Sequence, residues 1–330
     1  MSTRNDSKPG NAVNGKPAFA GIDVSSKSLD IAILPSGSVT RFDNDDKGVA
    51  ALVKHLAPFA PERVVIESTG VYHQAVVAAL QKHNIQVSVI NPRQARDFAK
   101  AQGKLAKNDR IDALCLARFG EVFAPRQTPA VSDSMRKLDA LVTRRAQLVE
   151  HRAIEHTRLA QTLDKRSRKS IDQVIEFLTG QIEDIDAECA ALIDADEEMK
   201  KTDEIIRSVP GCGPVTSAVL ITQLPELGSV HRVIIAALAG VAPYDNDSGG
   251  SRGHRSISGG RANLRSALYT PIIVAMRHNP VIAAFAARLK AQNKAFKVIA
   301  IACVRKLLII LNSMVAQKQV WNPKFAEKNG

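Results

Sequence analysis

Residues 18–34, AFAGIDVSSKSLDIAIL, read as two apolar β-rich runs broken by a polar SSK turn. A third run, SVTRF at 38–42, follows Pro35, Ser36 and Gly37, a trio suited to a tight turn. The opening is therefore a three-strand meander. Downstream the period changes: GVAALVKHLAPF is helical, RVVIE a strand, YHQAVVAALQKH a helix, QVSVI a strand, and RQARDFAKA a further helix. Strands followed by helix–strand repeats predict an α/β domain with a mixed sheet over 18–124, preceded by a flexible polar tail at 1–17.

Four carboxylates stand at informative places in this pattern. Asp23 closes the first strand, Glu67 closes the fourth, and Asp109 with Asp112 lie in KNDRIDA, where Asn108 reads as a helix cap. An i, i+3 pair shares one helix face, and in α/β sheets functional groups gather at strand ends. One acid at such a place is commonly a cap or a solvated group; four in this order suggest a shared site. Hard oxygen ligands without a His or Cys cluster favour Mg²⁺ over zinc. Two such ions, roughly 4 Å apart, would clamp the attacking and leaving oxygens of a phosphoryl transfer. Lys107 before the last pair and Arg110 within it are candidate phosphate contacts.

The chain has 330 residues and a formal charge of +12. That charge is uneven: residues 1–132 net +5, 133–170 +5, 171–204 −10 and 205–330 +12. Two basic regions flanking an acidic arm point to a polyanionic partner. The four cysteines, Cys115, Cys189, Cys212 and Cys303, show no paired spacing and read as core thiols. The longest apolar runs, VIAIACV and LLIIL, are interrupted by Arg305 and Lys306 and fall short of a membrane span. With no apolar segment in the N-terminal tail, a cytoplasmic location without membrane contact is expected.

Pro125 and Pro129 in APRQTPA mark a linker, and 125–204 reads as linker plus a helical coiled-coil arm. Ile171, Ile175, Leu178, Ile182, Ile185, Cys189 and Leu192 step by four and three residues through three heptads. Upstream, Arg145 and Arg152 occupy seam positions, so a hairpin folding back on itself and an arm pairing with a second copy both remain open. The basic region 205–330 reads as mainly helical. Pro210, Gly211, Gly213 and Pro214 form a turn between two helices, able to offer backbone N–H groups to a phosphate or simply to join them. The glycine-rich segment DNDSGGSRGHRSISGGRANLR follows, with Arg252, His254, Arg255, Arg261 and Arg265 as candidate nucleic-acid contacts.

These stretches resemble the DEDD-type insertion-sequence transposases, the bridge-RNA-guided recombinases. GIDVSSKSLD, VVIESTGVYH and AKNDRIDALCLARF are similar to the family's RuvC-like nuclease half, an RNase H fold. SVPGCGPVTSAVL and GVAPYDNDSGGSRGHRSISGGRANLRSALY are similar to its serine-bearing transposase half. The resemblance implies that Asp23, Glu67, Asp109 and Asp112 are the catalytic, Mg²⁺-holding DEDD set and that Ser248, in the DSG context, is the nucleophile. Ser251, Ser256 and Ser258 lie close by, and no spacing rule chooses among them. It further implies an excising and inserting recombinase acting on donor and target DNA through a phosphoserine link. An element-encoded bridge RNA would choose the sites, and homodimers would assemble into a tetramer whose working sites draw on different protomers. Three other readings stay open. The first is a RuvC-like nuclease using a metal-activated water, and the second a non-catalytic nucleic-acid scaffold. The third is an ATP-binding enzyme of the actin and sugar-kinase type, whose second glycine-rich phosphate segment is missing.

Overall fold

The structure, a computed structural model, describes residues 17–68, 70–103, 108–245 and 255–324. The tail expected at 1–17 therefore lies, up to residue 16, outside the described residues. The chain divides into two compact units, 1–131 and 132–330.

The first unit is built on β1 (Phe19–Val24), β2 (Ser28–Leu34), β3 (Ser38–Asp43), β4 (Arg63–Glu67) and β5 (Val87–Ile90), in the spatial order β3-β2-β1-β4-β5. β1, β2 and β3 form the antiparallel meander, while β4 and β5 run parallel to β1. This mixed sheet is the one the sequence predicts, and it is compatible with an RNase H-like domain. The helices are α1 (Asp46–Leu56), α2 (Gln74–Lys82), α3 (Pro92–Ala101) and α4 (Asp109–Phe123). Ile22, Leu29, Ile31, Leu52, Leu56, Ile66 and Leu80 are fully buried between the sheet and its helices. β5 would be an unpaired edge, open to association. APRQTPA covers part of it: the Thr128 N–H donates to the Val87 carbonyl and the Val89 N–H to the Thr128 Oγ1, both at 2.8 Å. Composition alone presents this stretch as a free linker, because a backbone docked on a strand edge leaves no period in the side chains.

The second unit is helical. α5 (Asp133–Gln161) and α6 (Lys165–Asp194) form a long hairpin whose cross-links run antiparallel, Arg145 to Asp186 and Arg152 to Thr179. These two bonds explain why arginines occupy seam positions: each finds its partner on the facing helix. Leu178, Ile182, Ile185 and Cys189 are buried in one core with Leu138, Val142 and Leu148. From Leu178 to Cys189 the heptad seam is thus filled within the chain, while Ile171 and Ile175 are half-buried. Ile154, Leu163, Val174 and Phe177 are exposed on the hairpin, Leu163 at 93% and Phe177 at 64%.

The hairpin shares its core with α7 (Glu197–Arg207), α8 (Pro214–Gln223), α9 (Arg232–Leu238), α10 (Ala262–Ala267), α11 (Tyr269–His278), α12 (Pro280–Ala291) and α13 (Phe296–Gln317). α13 carries both apolar runs and is long and apolar enough to cross a membrane by composition; here it packs against α7, α9, α11 and α12 with Leu307, Leu308, Ile310 and Leu311 fully buried. All four cysteines are buried and outside any disulfide, and burial raises the Cys212 thiol to about 12 and the Cys303 thiol to about 11. They are core groups, as the sequence predicts.

Candidate active site

Gly21 sets the geometry of the first unit's carboxylates. A Cβ there would stand 2.2 Å from the Ala113 carbonyl oxygen and 2.3 Å from the Ala117 nitrogen, so only glycine lets α4 lie directly on β1. Gly120 extends the contact, since a Cβ on it would meet the Val65 side chain at 2.9 Å. Side chains two apart on a strand share a face, so Asp23 stands on the same α4-covered face as Gly21. The N-terminus of α4 carries Asp109 and Asp112 in its first turn, where acids suit the helix dipole. Asn108 caps it, accepting from the Arg110 N–H at 2.9 Å, as its sequence predicts.

The electrostatics record how these groups meet. The Asp23 carboxyl is raised from its usual 3.8 to about 6, first by burial and then by the negative charges of Asp112, Glu67, Asp109 and Asp30. All four sequence-selected acids therefore act on one locus. The register places Asp23 opposite Asp30, and Asp30 opposite Arg41, in a row across β1, β2 and β3. Asp30 is 6% exposed and accepts from Arg41 through both oxygens, at 2.9 Å from Nε and 2.9 Å from Nη2. The same Nη2 donates to Asp109 Oδ2 at 2.7 Å. Beyond the strand ends, Asn44 donates to the carbonyls of Ser25 (2.8 Å) and Tyr72 (3.2 Å), tying the turn after β1 to the segment after β4. Tyr72 and Val71 are exposed there, Tyr72 at 47%.

A hard divalent cation suits this donor set: the ligands are all oxygen and their repulsion is what a positive charge relieves. Among the described residues no three such side chains stand close enough together to cage an ion as they are. The fit lies in donor type and charge, with the acids gathered over one sheet face rather than closed around a point.

In the second unit the glycine-rich segment begins and ends at one place. β6 (Pro243–Tyr244) pairs with β7 (Ser256–Ile257), bringing the two sides of 246–254 together, and Asp245 pairs with Arg255 at 2.5 Å. Below that ribbon, a Cβ on Gly260 would stand 2.2 Å from the Gly240 nitrogen, and both glycines have positive φ, +67° and +69°. The Arg265 Nη1 donates to the Gly240 and Gly259 carbonyls, and Arg261 grips Glu226 with two N–H groups at 2.7 and 2.6 Å. Burial pushes the Glu226 carboxyl up, but the bonds and charge of Arg261 outweigh it and hold it below the usual 4.5. Ser248, Arg252, His254 and, in the first unit, Lys107 lie outside the described residues. Arg110 and Arg255 are exposed.

The chain matches a family described as Transposase, of the DEDD IS110 type, over residues 20–167, and the Transposase IS116/IS110/IS902 family over 203–287. The chain belongs to the IS110 family of transposases. The first match covers the sheet and all four acids; the second covers the glycine-rich segment and the helices around it. The pilin gene-inverting proteins of Moraxella bovis and Moraxella lacunata are each 28% identical over 319 residues, 94% of this chain and 99% of theirs. The protein is thus a DNA transposase/recombinase, an enzyme of DNA recombination.

As an IS110 transposase it carries features that the sequence reading passed over. Asp30 and Arg41 were two charges among many on a strand pair; their register is the signal that would have found them. Gly211, selected as a phosphate donor, has φ +100° and a virtual Cβ 2.7 Å from Ala275 Cβ, so its glycine serves packing against α11. Gly213, the α8 N-cap, has open space around it. Arg261 and Arg265 bind protein groups that close the ribbon's base.

Proposed function

We propose that the protein is a site-specific recombinase that excises and inserts its own mobile element, joining donor and target DNA at places chosen by an element-encoded bridge RNA. The convergence of Glu67, Asp109 and Asp112 on Asp23 carries this reading. Burial first, and then the negative charges of Asp112, Glu67 and Asp109, raise Asp23 to about 6, a cost that catalysis explains better than stability does. Relatives named for gene inversion favour a reaction that both cuts and rejoins DNA.

In this reading Asp23, Glu67, Asp109 and Asp112 hold Mg²⁺, as two ions, which when bound offsets charge on the scissile phosphate. Ser248 supplies the nucleophile. Its Oγ forms a bond to phosphorus as the P–O3′ bond breaks, and its proton leaves while the 3′ oxygen ends as a hydroxyl. The phosphoserine link keeps the phosphodiester energy for the reverse attack that rejoins strands. Lys107, Arg110, Arg252, His254 and Arg255 neutralise backbone phosphates, with Gly213 adding a backbone donor at the start of α8. Arg261 and Arg265 keep the base of the serine segment closed. Tyr72 and Val71 offer an apolar platform for a base or sugar beside the carboxylates. Base pairing with the RNA supplies the sequence choice, leaving the protein to read backbone and shape, as in other guided systems. The exposed apolar residues of the α5–α6 hairpin are where a homodimer would form before pairing into a tetramer. The work takes place in the cytoplasm.

The test is a covalent protein–DNA adduct that survives denaturing electrophoresis when protein, RNA, element-end DNA and Mg²⁺ are combined. Ser248→Ala, which removes the attacking oxygen, should abolish it, and Asp23→Asn should slow its formation roughly 10³-fold, the effect of several kcal/mol of lost charge stabilisation. Normal strand joining by Ser248→Ala would remove the nucleophile assignment. Free 5′-phosphate ends without an adduct would instead make the enzyme a water-using nuclease, and unchanged site choice without RNA would remove the guide.

A further inference from the structure

We infer that Arg41, anchored on Asp30, is the positioning residue that sets Asp109 for cation binding in the carboxylate site. The inference rests on the reading of Asp23, Glu67, Asp109 and Asp112 as the cation-holding set.

The geometry is specific. Arg41 stands on β3, two strands away from Asp23, and the register places it in the same row. Its guanidinium is fixed by both oxygens of Asp30, at 2.9 Å from Nε to Oδ1 and 2.9 Å from Nη2 to Oδ2, the fork-on-carboxylate arrangement that fixes direction as well as distance. Asp30 is nearly fully buried beneath it, so the anchor itself cannot swing. The remaining reach of Nη2 is spent on one oxygen of Asp109, 2.7 Å away and 68 residues distant in sequence. Asp109 is the first residue of α4, and its side chain is exposed. An exposed side chain at a helix start has several rotamers open to it; one fixed donor selects among them.

The charges explain why an arginine is tolerated beside ligands for a cation. A free guanidinium there would repel the metal. Asp30 cancels that charge with a buried carboxylate, so the pair as a whole is neutral and presents Asp109 with an oriented N–H. Hydrogen-bond partners of metal-ligating groups act in this way generally: they orient the ligand without touching the ion, and losing one weakens metal binding roughly 10–100-fold. Glu67 and Asp112 take no part in this bond, so a site without Arg41 keeps three of its four acids in place. Its affinity should fall without being abolished.

Mg²⁺ titration of the full-length protein by calorimetry, without DNA, tests this directly, with Mn²⁺ electron paramagnetic resonance as a second probe. Arg41→Gln should raise the dissociation constant about 10–100-fold, and the cleavage reaction should need correspondingly more Mg²⁺ while its rate at saturating Mg²⁺ stays near wild type. Arg41→Lys, which keeps the charge and loses the fork, should fall between. Asp30→Asn frees Arg41 and leaves its charge uncancelled, so it too should weaken binding. The double variant should be no worse than the worse single one, a non-additivity that two unrelated structural defects would not give. Binding by Arg41→Gln that equals or exceeds wild type would overturn the proposal, because Arg41 would then be idle or in competition with the ion. Failure of the wild type to bind any Mg²⁺ or Mn²⁺ that Asp23→Asn removes would overturn the carboxylate reading itself, and the role of Arg41 with it. Circular dichroism of each variant confirms that the sheet is intact before its affinity is read.

Discussion

The two units assemble their candidate functional groups by opposite means. In the first, a regular sheet does it: strand register aligns Asp23, Asp30 and Arg41, and one glycine lets α4 bring Asp109 and Asp112 over the same face. In the second, the residues on either side of 246–254 are stitched together by a two-residue ribbon, a glycine–glycine contact and the Arg261–Glu226 and Arg265 bonds. A site on a sheet inherits its precision from the core. Where no sheet holds the chain, dedicated fasteners do, and such arginines resemble ligand-binding residues when read in sequence.

Two alanine substitutions sharpen this contrast most. Gly21→Ala forces a Cβ to 2.2 Å from a helix carbonyl, so α4 must move away from β1. Overpacking of this kind costs about 1–3 kcal/mol. The larger effect should be on strand cleavage: a displacement of roughly 1 Å at the Asp109 end lowers rates about 10²-fold, although Gly21 touches no DNA. Gly260→Ala should also destabilise, since its φ is +67° and a Cβ would meet the Gly240 backbone at 2.2 Å. Its kinetic signature differs: adduct formation should fall while the Mg²⁺ requirement stays as in wild type. Gly37→Ala, with φ +69° and open space around it, isolates the backbone effect alone, about 1–2 kcal/mol. Thermal unfolding and Mg²⁺ titration of the three variants separate these outcomes. Equal Mg²⁺ requirements for Gly21→Ala and wild type would break the claim that α4 placement builds the site.

A smaller effect is expected at Tyr72. Its side chain is exposed on the segment that follows Glu67, and its carbonyl accepts from Asn44. Tyr72→Ala should weaken binding of single-stranded DNA by about 1–3 kcal/mol, the range for one stacked base, with Mg²⁺ affinity unchanged. Tyr72→Phe should bind as wild type. Fluorescence anisotropy at fixed salt reads both, and salt must be held because phosphate contacts dominate the total.

Legibility in the sequence followed the same division. The meander, the parallel return and the four acids were readable because strand alternation and helix caps are local signals. Asn108 is the clearest case, a cap recognisable from KNDRIDA and present as such. The role of Gly21 was not readable, since its partner lies 92 residues away at Ala113 and leaves no period behind. The heptads on α6 were legible as a seam, but a seam does not say whose helix fills it; α5 does, with Arg145 and Arg152 answered by Asp186 and Thr179. For Arg261 and Arg265 the sequence leaves the protein partners out of sight, for a related reason. Arginine forks suit carboxylates and carbonyls as well as phosphates, and only the fold shows Glu226 and the Gly240 and Gly259 carbonyls within reach.

The finest comparison is between two acids whose titrations have opposite signs. Asp23 is raised above its unfolded value, so the folded state holds its proton more tightly than the unfolded chain does. Its contribution to stability is present below about 3.8 and is lost as pH rises through about 6. Glu226 is lowered by Arg261, so its contribution is present above the usual 4.5 and lost as pH falls through the folded value. Without added Mg²⁺, Asp23→Asn should therefore melt higher than wild type at pH 7, with the gain shrinking towards pH 4. Glu226→Gln should melt lower at pH 7, with the loss shrinking below pH 4. Partial exposure of both groups keeps each shift to a few degrees, roughly 2–4 °C per kcal/mol for units of this size. Added Mg²⁺ gives the comparison its edge: it should raise the wild-type melting temperature and leave Asp23→Asn nearly unmoved, while Glu226→Gln responds as wild type does. A wild type more stable at pH 7 than Asp23→Asn in the absence of metal would mean that burial and the neighbouring acids do not hold the Asp23 carboxylate at a cost, and the sheet-built site would lose its central support.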